Sequence, residues 1–342
     1  MTSHQFIERE SGRVATEKLF GDSVVRWLYS EVRERAPDIY KMAISQRITD
    51  LLGLVNYDLP FLAKITRSKD FVRESGINLE ECVDAPGSLN TLRKIFERQI
   101  QYWKYRPLPS DSNVVVSPAD ARVLVGSFDS DSALYLKGKF FGFEQLLGSQ
   151  KLDWLAAFES GDFAVFRLTP DKYHYNHTPV AGVVKDFYEV VGSYHACNPT
   201  AIVIEVTPFS KNTRTITIID TDVEGGSRVG RVAMIEVTAL MIGAVVQCYS
   251  RDRYESPRAI EPGRFVERGC PKSLYRPGSS TDVLLFEKGR VAFDSDLLAN
   301  QRRNDVNSRF SQGFGRQLVE TEVQVRSRIA SKSDDRGNKN DK

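Results

Sequence analysis

Arg276-Pro277-Gly278-Ser279-Ser280-Thr281, followed by Val283-Leu284-Leu285-Phe286, sets two hydroxyls at a forced bend. Proline fixes one backbone angle and glycine permits angles that other residues avoid. The apolar run behind them reads as a buried strand. A hydroxyl on a strained peptide can attack the carbonyl of the residue before it, which turns the amide into an ester. Elimination then leaves a ketone at a new chain start, and a ketone accepts amines. Gly-Ser-Ser turns are common and nearly all inert, so this chemistry requires other groups from the chain.

Proton transfer is the first requirement. Two of the four histidines fall in Tyr173-His174-Tyr175-Asn176-His177, after strand-like residues 163–168 and the turn Thr169-Pro170-Asp171. The plain reading is a surface turn with two solvated imidazoles. A metal site of His174, His177 and His195 is a second reading, but zinc would want a further carboxylate or thiolate at suitable spacing. The sequence points to none, so no metal is expected. The third reading is acid–base work, because imidazole both gives and takes a proton near neutrality. Asp120, in Ser117-Pro118-Ala119-Asp120-Ala121, is a turn aspartate or a carboxylate that orients a histidine and stabilises its charged form. The set would be Asp120, His177 and Ser279 or Ser280. Their order along the chain does not exclude it, since such sets are defined by geometry.

The elements that must position these residues divide the chain into three. Residues 13–105 read as helical: Val24, Val25, Leu28 and Val32 keep helical spacing, and Pro37 restarts a pattern that runs to Gly53. Leu92, Ile95, Phe96, Gln99, Ile100 and Trp103 fall on one face of a further helix, with Ser88 or Asn90 as its cap. Arg106-Pro107-Leu108-Pro109 marks a boundary. From Asn113 short β-rich runs alternate with turns: 114–116, 122–125, 133–136, 163–166, 180–184, 201–206, 215–219, 232–237, 242–248 and 283–286. One helix, around residues 142–147, interrupts them. After Asp294 the chain reads as helical and polar, and from Ser331 as a disordered tail. The expected fold is α+β. Amphipathic N-terminal helices (1–110) precede a mostly antiparallel β-sandwich or barrel-like core (111–300), then a helical and disordered tail (301–342).

Composition narrows the partners. The 342 residues carry a net charge of +2 from 47 basic and 45 acidic side chains, so nothing drives the whole chain toward nucleic acid. Cys82, Cys197, Cys248 and Cys270 are far apart and read as reduced thiols. The N-terminus lacks the shape of a signal peptide, and no apolar run approaches the roughly 20 residues a membrane span needs. A cytoplasmic protein is expected. Its aromatic and basic N-terminal helices either pack on the core or lie on a lipid surface, and packing is favoured.

Several blocks in order resemble the phosphatidylserine decarboxylase family of pyruvoyl-dependent enzymes. Ser117-Pro118-Ala119-Asp120 matches the family's S-P-A-D-G, with Ala121 in place of glycine. Lys137-Gly138-Lys139 with Leu146-Leu147-Gly148 resembles the next block. Arg167-Leu168-Thr169-Pro170 leading to Tyr173-His174-x-x-His177-x-Pro179-Val180-x-Gly182 is the most specific match. Residues 278–286 resemble G-G-S-T-V-x-x-L-F. The resemblance implies that Asp120 and His177 activate the serine for self-cleavage. The large chain and the short, pyruvoyl-bearing chain then stay together as a heterodimer. His174 would protonate the carbanion after carbon dioxide leaves. The pyruvoyl group would form a Schiff base with the amine of phosphatidylserine or of a related amino acid and would need no external cofactor. Aligned without gaps from Thr281 to Phe286, Ser280 is the converted residue and Ser279 stands where a glycine usually does; aligned on Gly278, Ser279 is converted. The departures at Ala121 and Ser279 motivate a different expectation, a non-catalytic β-sandwich module that has lost maturation.

Overall fold

Val283-Leu284-Leu285-Phe286 has no polar alternation because both of its faces are covered. In the computed structural model, which describes residues 3–19, 27, 32–45, 65–128, 142–205, 207–239, 244–277 and 280–333, the strand Ser280–Phe286 is buried throughout. Leu284 and Phe286 pack into one apolar cluster with Val123, Phe166 and Met234. Val283 and Leu285 pack into another with Phe163, Val165, Ile216 and Ile235. Successive side chains of a strand point to opposite faces, so one continuous apolar run feeds two cores.

The strands in chain order are β1 (Gln5–Glu8), β2 (Val14–Thr16), β3 (Val114–Val116), β4 (Ala121–Ser127), β5 (Asp162–Leu168), β6 (Tyr175–His177), β7 (Gly182–Val190) and β8 (Arg214–Asp220). They continue with β9 (Arg231–Val237), β10 (Val245–Gln247), β11 (Phe265–Val266), β12 (Pro271–Tyr275), β13 (Ser280–Phe286), β14 (Val291–Phe293), β15 (Thr321–Val323) and β16 (Arg328–Lys332). Among the described residues, ten form one sheet in the order β11-β7-β8-β9-β13-β5-β4-β15-β1-β2. All of its pairs are antiparallel except β1 with β15. Two three-stranded sheets, β10-β12-β6 and β14-β16-β3, contribute Tyr275, Val115, Ile329 and Ala330 to the first cluster. The helices Phe143–Leu147, Leu152–Phe158, Pro199–Ile204, Pro208–Lys211 and Arg309–Phe314 cover the second. The fold is α+β, with sheets against one face of the large sheet and short helices against the other.

Several elements differ from the sequence-based expectation. Residues 14–16 belong to β2, not to a helix. The helix expected through residues 92–103 breaks into Leu92–Phe96 and Tyr102–Tyr105. Thr91 caps the first piece, its side chain accepting from the Lys94 amide at 3.2 Å. The backbone between the pieces is captured from outside. Val83 N donates to Gln99 O at 2.9 Å, Gln101 N to Glu81 O at 2.7 Å, and Ile100 N to the Tyr254 hydroxyl at 3.1 Å. Residues 201–206 were expected to extend; residues 199–204 are helical instead. Asn198 caps that helix by accepting from Thr200 N at 2.8 Å, and Pro199 takes the first helical position. Past the helices Ser295–Gln301 and Arg309–Phe314, the chain returns as β15 and β16, so Ser331 lies in a strand. The run 133–136, Lys137-Gly138-Lys139, Val24, Val25, Leu28 and residues 334–342 lie outside the described residues.

Candidate active site

Topology brings the two candidate segments to one end of the fold. β5 lies against β13, with Leu168 opposite Ser280. Leaving β5, the chain turns through Thr169-Pro170-Asp171, where Lys172 N donates to Thr169 O at 2.9 Å, and enters β6 in the small sheet. β6 pairs with β12, and β12 leads back through residues 276–279 to β13. The Tyr275 amide donates to the His174 carbonyl at 3.1 Å. The histidine motif is therefore fixed to the last residue of the strand that precedes the serine turn.

The solvated-turn reading of the histidines does not hold, because His174 and His177 are both wholly buried. His174 stacks on Phe96, with ring centroids 3.5 Å apart and planes 13° apart. Among the described residues neither of its ring nitrogens has a well-formed hydrogen-bond partner. Burial, and then the positive charge of Arg98, push its pKa down to about 3. His177 faces Tyr102 at 4.8 Å between centroids. Its Nδ1 lies 2.9 Å from the Gly269 carbonyl, which only accepts, so Nδ1 carries the hydrogen. Nε2 is then the accepting nitrogen, 2.9 Å from the Tyr173 hydroxyl, and that hydroxyl is 2.8 Å from the hydroxyl of Tyr254. Burial pushes the His177 pKa down to about 3, more than the Gly269 carbonyl raises it. Both imidazoles are neutral near pH 7, the form a general base requires.

Asp120 sits between β3 and β4. Its loop touches the motif through the His177 amide, which donates to Pro118 O at 2.7 Å. The carboxylate itself is engaged elsewhere. Arg106 grips it through Nε at 3.1 Å and Nη2 at 2.9 Å, and the Val325 amide donates at 2.7 Å. Burial raises the Asp120 pKa, but Arg106 and the Val325 amide more than offset this and hold it below the usual value. Arg106 also bonds Glu81 at 2.9 Å. A polar cavity of about 200 Å³ opens here, lined in part by Arg98, Arg106, Asp120, Lys172 and Tyr173.

Ser280 opens β13 and is wholly buried, and among the described residues its hydroxyl has no hydrogen-bond partner. Neither imidazole bonds to it. A buried hydroxyl without a partner costs about 1–3 kcal/mol. Gly278 and Ser279 lie outside the described residues. His195 stands apart from the motif, its Nδ1 3.3 Å from the Tyr40 hydroxyl and its amide donating to Asn212 Oδ1 at 2.7 Å.

Two buried polar groupings escaped the sequence reading. Between the small and large sheets, Glu236 receives Lys272 Nζ at 2.6 Å and Asn176 Nδ2 at 3.1 Å, and also the Ser273 hydroxyl. The only signals were Glu236 inside an apolar strand and Lys272 beside one. On the far face of the large sheet, Arg167 binds Glu17 and Glu320, each at 2.6 Å, Arg122 pairs with Glu17, and His4 Nε2 meets Glu320 at 2.8 Å. Among the described residues, His4, Glu17 and Glu320 are the one set of three metal-type ligand atoms lying within 4.8 Å of one another. The two guanidiniums already supply the positive charge there.

Comparison with known proteins agrees with this geometry. The family model described as phosphatidylserine decarboxylase matches residues 92–314, which include both histidines, Asp120 and β13. The phosphatidylserine decarboxylase proenzyme of Fusobacterium nucleatum is 27% identical over 90% of this chain and 95% of its own length. That of Chlamydia trachomatis serovar D is 28% identical over 92% and 97%. Phosphatidylserine decarboxylase proenzyme 3 of Schizosaccharomyces pombe is 29% identical over 95% of this chain but only 31% of its own length, so it carries much additional sequence. Among the described residues no helix is long and apolar enough to cross a membrane. This chain belongs to the phosphatidylserine decarboxylase family, whose enzymes are carboxy-lyases.

Proposed function

We propose that the chain cuts itself before Ser280 and becomes a pyruvoyl-dependent decarboxylase of phosphatidylserine. The observation that carries this reading is the Ser280 hydroxyl, buried at the start of β13 and without a hydrogen-bond partner among the described residues. The Ser280 oxygen attacks the carbonyl carbon of Ser279, and its proton goes to His177 Nε2, which requires Tyr173 to release that nitrogen. The C–N bond breaks and an ester forms. Loss of the Ser280 α-proton then expels the Ser279 carboxylate. The enamine left behind takes up water and releases ammonia, leaving a ketone at residue 280. Asp120, already ionised by Arg106, stabilises the positive charge that His177 acquires. Ser279 as the converted residue is the alternative register.

The pyruvoyl group would supply a ketone that takes the substrate amine and draws off the electron pair left as carbon dioxide departs. The residues fit such a group: Ser280 furnishes it, and His174 is wholly buried against Phe96. His174, neutral at rest, takes up one proton from solvent and passes it to the carbon that loses carbon dioxide, returning to the neutral form. The two chains stay joined after the cut, because β13 is paired along its length with both β5 and β9 of the larger chain. Retention of Asp120, both histidines and Ser280 disfavours the non-catalytic alternative.

Carbon dioxide release from phosphatidylserine vesicles, compared with free serine, tests the reading. Release from vesicles, abolished in Ser280→Ala and retained in Ser279→Ala, is the expected result. Release from free serine alone would reassign the substrate, and no release from either would remove the activity.

A further inference from the structure

The strand that opens at Ser280 departs from the pattern Gly-Gly-Ser-Thr-Val-x-x-Leu-Phe at one further place. Read without gaps from Ser280 to Phe286, the valine position holds Asp282. Asp282 is wholly buried, and side chains two apart on a strand share a face, so it lies on the Ser280 side. Across the ladder it meets Glu236. A buried carboxyl needs a cation or a proton, and the nearby ammonium of Lys272 goes to Glu236 instead.

Asp282 has the proton. It is wholly buried, faces the Glu236 carboxylate and has no cation of its own among the described residues, and burial, then the charge of Glu236, hold its carboxyl well above the usual range. The Tyr275 hydroxyl is 2.7 Å from Asp282 Oδ1 and 3.1 Å from the Thr281 carbonyl. A phenol has one hydrogen, which it either shares between the two oxygens or gives to the carbonyl alone; a protonated Asp282 allows the second arrangement, in which Asp282 donates to Tyr275 and Tyr275 to Thr281.

Tyr275 precedes the 279–280 bond and Asp282 follows it. We propose that Tyr275 and neutral Asp282 form a clamp across this bond, a positioning pair that keeps residues 280–282 in register once the chain is cut. The clamp rests on the assignment of Ser280 as the processed residue. Before the cut, the covalent bond to the preceding residue tethers the start of β13. Afterwards that start is a chain end, and chain ends fray unless tied down. The contact from Tyr275 replaces the lost tether and fixes the direction of the group at position 280.

The test uses full-length wild type, Asp282→Asn, Asp282→Val and Tyr275→Phe. Cleavage is followed on denaturing gels and the new carbonyl by borohydride reduction. Hydrogen exchange of the peptide beginning at 280 is followed by mass spectrometry, and kcat and KM are normalised to carbonyl content. An asparagine amide still donates to Tyr275, so Asp282→Asn keeps exchange and kcat within about threefold of wild type. Asp282→Val and Tyr275→Phe exchange about tenfold faster at residues 281–283 and lose about tenfold in kcat, with KM within about threefold. Tyr275→Phe, which lacks a single oxygen, carries the test if Asp282→Val does not fold. Exchange in Tyr275→Phe equal to wild type, or Asp282→Asn as impaired as Asp282→Val, overturns the clamp alone. A wild type that never cuts or bears no carbonyl overturns the assignment of Ser280, and the clamp with it.

Discussion

On one face of the large sheet, His4, Glu17, Arg122, Arg167 and Glu320 bury five ionisable side chains against one another. Beneath residues 92–105, His174 and His177 are buried as completely, with aromatic rings and a carbonyl for neighbours in place of opposite charges. The first region meets the cost of burial by pairing full charges, which pins β1, β4, β5 and β15 together. The second meets it by keeping its bases neutral, which leaves two imidazoles able to take a proton. Burial with charge pairing makes an anchor; burial without it keeps titratable groups uncharged, the state that the proposed mechanism uses.

Substitutions can separate the two. His177→Ala should fold and remain a single chain, its self-cleavage slowed by roughly 10²-fold or more, as expected for loss of a general base; gel time courses measure this. Arg167→Met should do the reverse. It leaves Glu17 with Arg122 and Glu320 with His4 as their remaining partners in the cluster and should cost about 3 kcal/mol in denaturant unfolding, while the folded fraction still cuts itself. His174→Gln should mature normally yet release carbon dioxide roughly 10²-fold more slowly per carbonyl. A variant that fails to mature would move His174 into the processing step.

Acid distinguishes the regions at smaller scale. His174 and His177 take up protons in the unfolded chain below about 6.5 but stay neutral in the fold until about 3. Each therefore removes about 1.4 kcal/mol of stability per pH unit on acidification through that window. Glu17 and Glu320 are held below their ordinary value of 4.5, so their contribution is intact above it and is lost only as the pH falls further. Unfolding midpoints at pH 7, 6 and 5 should fall for wild type and fall less steeply for His174→Gln. The smallest effect concerns the turn. Ser279→Gly restores backbone freedom at the scissile bond and should speed cleavage by about threefold, under 1 kcal/mol.

The strands of the core were legible because Thr215-Ile216-Thr217-Ile218-Ile219 and Val283-Leu284-Leu285-Phe286 declare themselves locally. The candidate residues were legible because the chain has only four histidines, two of them in one short motif, and because Asp120 and the serines fall in blocks that resemble the family's. What surrounds them was not. The break at residues 97–101 is made by a loop and by Tyr254, far away in sequence, and no helical period reports that. Asn198-Pro199 did carry a helix-start signal, outweighed by the β-branched residues behind it. Arg106 is the partner of Asp120, and Tyr173 that of His177, only because the chain folds those segments together. β15 and β16 are short strands whose pairing depends on β1, β4 and β3.

Intact mass of the purified wild-type protein under denaturing conditions tests the central claim most directly. Two chains, residues 1–279 and 280–342, the second starting with a ketone in place of its amine and gaining mass on borohydride reduction, are the expected result. A single chain of full mass, unchanged by prolonged incubation and inert to borohydride, would contradict the account.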